Sequence, residues 1–99
     1  MKIKNLAEFK RAMELNSKWN FYEIIKGIDS RPVVRTCVAS QSNSFALDSH
    51  PKQKDSSIGS WLDYPKAKQM TFVNNVGEST RVKIKASEDF YLVYQPIAE

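Results

Sequence analysis

Residues 19–26 read WNFYEIIK, and Gly27 closes the run. Aromatic and β-branched residues crowd this stretch, which fits a strand and not a helix. Trp19, Phe21 and Ile25 share one parity, while Tyr22 and Ile24 share the other. Side chains alternate across a strand, so both faces are partly apolar and the strand is expected to be covered on both sides.

Upstream of this strand the period changes. Asn5 is placed to cap a helix, with Glu8 three residues on, where a capping box wants an acid. Leu6, Phe9, Ala12 and Met13 recur at helical spacing and form one apolar stripe, with Lys10, Arg11 and Glu14 on the other side. The helix is expected over residues 5–16.

Downstream, short apolar runs alternate with turn residues. Asp29-Ser30-Arg31-Pro32 suits a turn. Strands are expected at residues 33–39 (VVRTCVA), 43–47 (NSFAL), 57–62 (SIGSWL, with Gly59 at a bulge), 70–73, 80–86 and 90–94 (FYLVY). Asn74-Asn75-Val76-Gly77 suits the turn of a hairpin. A single helical turn is expected at residues 64–68, starting at Pro65 and capped by Asp63. Residues 48–56 (DSHPKQKDS) hold no apolar side chain and are expected to be a mobile loop. The reading is one α+β domain over residues 1–99, with a β-rich region over 19–95. Its N-terminal helix packs on a small, strongly bent antiparallel sheet, or partly open barrel, of about six strands.

Composition limits the function classes. The chain has 99 residues, 41% of them hydrophobic and 26% charged, which is the balance of a globular chain and not of a disordered one. No run approaches the length of a membrane span. Charges throughout residues 1–15 leave no apolar segment for a signal peptide, and a single cysteine gives no internal disulfide. The expected location is therefore cytoplasmic. The net charge of +4 permits an anionic partner without requiring one.

Catalytic signatures are missing. HExxH, CxxC, GxSxG and a glycine-rich phosphate loop do not occur. His50 is the sole histidine and lies in the polar loop; Asp48, His50 and Asp55 form only a weak candidate set of metal ligands. Cys37 falls inside an expected strand, where a buried, inert thiol is the ordinary case. The expectation is no enzyme, no metal and no cofactor.

The sharpest periodic signal is residues 80–86. Val82, Ile84 and Ala86 point one way, and Arg81, Lys83 and Lys85 the other. The three cations stand about 7 Å apart, close to phosphate spacing along a strand of nucleic acid. A solvated face, or an edge guarded by lysines, has the same pattern. Lysine pairs also recur at 2 and 4, 52 and 54, and 66 and 68, but interleaved acids disperse the charge. Among the aromatics, Tyr22, Tyr91, Tyr94 and Trp61 are the candidates for exposure and base stacking, and Phe45 and Trp61 for core anchors. The named RNA-binding motifs are absent. Residues 90–94 are a candidate edge strand for pairing between copies.

Three stretches, residues 6–12 (LAEFKRA), 42–47 (SNSFAL) and 60–67 (SWLDYPKA), also carry a resemblance. Their order resembles small uncharacterised proteins of phages and mobile elements of Gram-positive bacteria. Ala7-Glu8 departs from the pattern, residues 48–56 look longer, and the C-terminal third does not match. The resemblance implies a setting: a small accessory protein in the host bacterial cytoplasm that acts by binding. The leading expectation is an inhibitor of a host protein such as a defence nuclease, anti-CRISPR-like in kind. It would present Tyr22, Arg31, Arg35, Trp61 and Tyr91 to a host protein or nucleoprotein. The alternative is a single-stranded DNA- or RNA-binding module using Arg81, Lys83 and Lys85.

Overall fold

The structure is a computed structural model describing residues 2–48 and 60–97. One helix packs on an antiparallel sheet of eight strands that does not close. The class is α+β, with more strands than the sequence alone suggested.

Helix α1 spans Leu6–Leu15 and buries Phe9, Ala12 and Met13, the expected stripe. The Asn5 side chain accepts from the Glu8 backbone N–H at 2.9 Å. The Glu8 carboxylate reaches back past the cap and accepts from the Lys4 N–H at 2.7 Å. Two N–H groups that the helix cannot satisfy are thereby bonded.

Strand β1 is Lys18–Ile25 and β2 is Ile28–Asp29. They are joined by Lys26-Gly27, both at positive φ (51° and 79°). That is the two-residue turn whose twist suits a hairpin. The turn therefore lies earlier than the sequence suggested, and Ile28 and Asp29 pair with β1 where a loop was expected. β3, Val33–Ser40, resumes pairing along the same side of β1, after a break at residues 30–32. Pro32 has no N–H to give a ladder, so the break falls where the edge loses a donor. This stub accounts for part of the higher strand count.

The remaining strands are β4 (Ser44–Leu47), β5 (Ser60–Asp63), β6 (Met70–Val73), β7 (Arg81–Ser87) and β8 (Phe90–Pro96). Their order is β5-β4-β3-β1-β8-β7-β6. The chain runs as two meanders, and the last strand closes against the first long one. Residues 90–94 are thus interior to the sheet, flanked by β1 and β7, and not an edge. The short helical turn is 3-10, Ala67–Gln69, with Lys66 at its cap position; Asp63 belongs to β5 and does not cap it. The loop at 49–56 and Gly59 lie outside the described residues.

The core lies between α1 and one face of the sheet. It joins Phe9 and Met13 to Trp19, Phe45, Leu47, Val82, Ile84 and Tyr94. Phe9 meets Trp19, Phe45 and Tyr64 edge-on, with ring centres 5.8–6.1 Å apart. Edge-to-face contact sets the positive rim of one ring against the negative face of the next. Trp19 is fully buried, and its indole N–H donates to the Asn16 carbonyl at 2.9 Å. Tyr94, expected at the surface, is only 2% exposed. Its register opposite Phe21 and Val82 carries it inside.

The N-terminal segment is tied down at a distance. Thr80 is fully buried; its hydroxyl accepts from the Ile3 N–H at 2.8 Å and donates to the Asn74 side chain. The Lys2 ammonium donates to the carbonyls of Asn75 and Glu78. Residues 2 and 3 thereby latch onto the β6–β7 connection.

Candidate binding face of the sheet

The sheet has a second face, turned away from α1, and register decides what stands on it. Lys83 is opposite Thr71 and Val93, and Lys85 is opposite Tyr91. On the next strand, Ile24 is opposite Tyr91, Tyr22 opposite Val93, and Asn20 opposite Gln95. Directly opposed residues share a face. A row of cations on β7 therefore runs beside Tyr91, Val93 and Gln95 on β8, and then Ile24, Tyr22 and Asn20 on β1. Val93 lies outside the main core cluster yet is 0% exposed, so its neighbours on this face cover it.

The cations differ in their surroundings. Arg81 lies 3.6 Å from the Glu78 carboxylate, and Lys85 lies 3.9 Å from that of Glu88. Both pairs are largely exposed and contribute little. Lys83 has the Tyr91 ring beneath it, its ammonium 4.9 Å from the ring centre. A cation on an aromatic face is attracted by the ring quadrupole, by about 0.5–1 kcal/mol at an exposed site. Ala86, read on the same side as Val82 and Ile84, is exposed where those two are buried, at the point where the β7–β8 register shifts between Lys85 and Ser87.

A groove of about 290 Å³ opens on this face. Asn20, Gln95 and Tyr22 come from the two middle strands. Arg81 lines it from the β7 side, and Asp29, Ser30 and Pro32 line it from the β2 side. The Gln95 amide is held: its Nε2 donates to the Ser79 carbonyl at 2.8 Å, which leaves its oxygen as an acceptor. The Ser30 hydroxyl accepts from the Glu23 N–H at 2.8 Å, anchoring that side of the groove to β1.

The residues singled out in the sequence thus separate. Tyr22 and Tyr91 join Arg81, Lys83 and Lys85 on one face. Arg31 is exposed in the link between β2 and β3. Arg35 is opposite Trp19 and so belongs to the core side. Its guanidinium lies 5.6 Å from the Phe21 ring centre, and its buried Nε has no hydrogen-bond partner among the described residues. Trp61 is no core anchor: it is 45% exposed, opposite Ala46 on the face that Phe45 does not use. His50 and Asp55 lie outside the described residues. Among those described, no three His, Cys, Asp or Glu gather as metal ligands. Cys37 is half-buried, and burial pushes its thiol pKa up, away from the reactive thiolate. Among the described residues, no helix is long and apolar enough to cross a membrane.

Sequence reasoning found the cations and the tyrosines but missed Asn20, Gln95 and Asp29. Asn20 has the parity of Tyr22, a signal that was present; Gln95 and Asp29 join it only through pairing. Comparison with protein-family models, with curated proteins and with solved structures gives no match.

Proposed function

We propose that the protein is a non-catalytic binding module whose outer sheet face takes a single strand of nucleic acid. The observation that carries this reading is the register between β7 and β8, which sets Lys83 and Lys85 directly beside Val93 and Tyr91. The cations run along one strand at about 7 Å intervals and meet phosphates, while Tyr91 and Tyr22 offer rings to unstacked bases. Single-strand binding needs both features in one place, because the charge supplies affinity and the rings hold the bases. Duplex is the weaker partner, since its bases are already stacked.

The test is a fluorescence anisotropy titration with labelled single-stranded DNA, single-stranded RNA and duplex DNA, at about 50 and 200 mM salt. Binding to single strands that weakens steeply with salt supports the reading. No binding at the lower salt rejects it.

A second reading is favoured by one separate observation. Trp61 stands 45% exposed on β5, the strand at one end of the sheet order. Tryptophan is a common anchor where proteins meet. With the three stretches that resemble mobile-element proteins, this supports an inhibitor of a host protein such as a defence nuclease, acting in the host cytoplasm. The two readings are compatible: a nucleoprotein offers a strand to one surface and a protein to the other. Enrichment of a host protein by the intact chain, lost with Trp61→Ala, supports this reading; enrichment unchanged by that substitution rejects Trp61 as the anchor.

A further inference from the structure

We infer that the groove between Arg81 and Asp29 accepts one unstacked guanine base. This rests on the strand-binding reading and adds a base preference to it.

The first argument is size. About 290 Å³ lies near the lower bound of small-molecule pockets, which is room for one base. The second is shape and surface. Tyr22 and Pro32 both line the groove, and the aromatic ring of Tyr22 with the apolar proline beside it offers surface against which a base can lie.

The third is the arrangement of donors and acceptors. Strand order puts Arg81, on β7, to one side of Gln95 and Asn20, and Asp29, on β2, to the other. Arginine only donates, and an ionised carboxylate only accepts. Guanine carries two acceptors, O6 and N7, along one edge, and two donors, the N1 hydrogen and the N2 amine, along the next. The O6/N7 edge is the one arginine pairs with in bidentate fashion. The donor edge then turns toward Asp29, and the Gln95 oxygen is a further acceptor beside it. Adenine would set its N1 lone pair against the same carboxylate, and the pyrimidines lack the N7 edge. Asp29 also repels phosphate, so a base, and not a backbone group, is what this side of the groove tolerates.

The experiment compares a uridine heptamer with heptamers carrying one central guanine or one central adenine, by anisotropy against the intact chain. The wild type is expected to bind the guanine oligomer about tenfold more tightly than the other two. Asp29→Asn is expected to reduce that preference to about threefold or less. Among the described residues, the Asp29 side chain makes no hydrogen bond that the sheet depends on, so the variant keeps its fold. In a parallel measurement, guanosine monophosphate is titrated while the side-chain amide signals of Asn20 and Gln95 are followed by NMR. Those signals are expected to move with guanosine monophosphate and not with adenosine monophosphate. Equal wild-type affinity for the guanine and adenine oligomers overturns the base preference and leaves strand binding standing. Absence of binding to every oligomer overturns both. Amide signals that respond equally to the two monophosphates overturn the groove assignment on their own.

Discussion

The Lys83 ammonium stands 4.9 Å from the centre of the Tyr91 ring, the two residues coming from adjacent strands. The ring face is occupied by a half-buried cation, worth about 0.5–2 kcal/mol, whereas a base stacked on an aromatic is worth about 1–3 kcal/mol. Under the proposed reading a base takes the ring and the displaced ammonium meets a phosphate.

The ring itself is therefore the element to remove. Tyr91→Ala is expected to weaken single-strand binding by about five- to a hundredfold, and Tyr91→Phe to leave it nearly unchanged, as a stacking contribution predicts. An anisotropy titration of the two variants measures the difference. Equal losses in both would mean that the hydroxyl, not the ring face, makes the contact.

Thr80 ties the N-terminus to the β6–β7 connection through one buried and one partly buried hydrogen bond. Valine has the same shape but neither donates nor accepts. Thr80→Val is expected to cost about 1–3 kcal/mol, because the Ile3 N–H and the Asn74 side chain lose their partner. Urea unfolding monitored by tryptophan fluorescence reads the change. Lys2→Ala, which removes only exposed bonds, is expected to cost much less.

Lys26 takes the left-handed conformation (φ 51°) beside Gly27. A residue with a Cβ is strained there, and asparagine is tolerated far better. Lys26→Asn is expected to stabilise the chain by about 0.5–1 kcal/mol, a rise of several degrees in Tm for a domain of this size. Scanning calorimetry of the variant tests it, and a lowered Tm would contradict the turn assignment.

Burial pushes the Tyr94 phenol up to about 12 from an ordinary value near 10, with the nearby Arg35 cation opposing the rise. In the folded state the proton is held more tightly than in the unfolded chain. Between about pH 10 and 12 the unfolded chain has released it and the native chain has not, so stability falls as pH rises. The loss from this group reaches about 2 kcal/mol by pH 12. Cys37 and Tyr64 are shifted upward by burial and add in the same direction. Tyr94→Phe is expected to flatten the alkaline limb of a urea-midpoint profile; an unchanged limb would place the titration elsewhere.

Local chemistry makes part of this architecture legible in the sequence. The Asn5 cap, the Phe9 and Met13 stripe and the alternation across Arg81, Lys83 and Lys85 are each written within a few residues, and the helix and β7 appear where those patterns place them. The Lys26-Gly27 turn is not legible, because lysine carries no preference for positive φ and only tertiary context selects it. Tyr94 is buried where exposure was expected, and of the two places the sequence allowed Trp61 the exposed one holds, for the same reason: an aromatic fits either side of a strand, and register settles which side is covered. The groove is a product of pairing alone. Asn20 and Gln95 lie far apart in the chain, and no local pattern links them.

The central claim is that Lys83 and Lys85 contact phosphates of a single strand. The most direct measurement is the salt dependence of single-strand affinity for the wild type and for the double variant Lys83→Glu with Lys85→Glu. Each phosphate contact on a single strand contributes about 0.7 to the slope of log K against log salt concentration. The account predicts that the double variant binds at least about tenfold more weakly at low salt and that its slope is shallower by about 1.4. An affinity and slope unchanged from the wild type would contradict it.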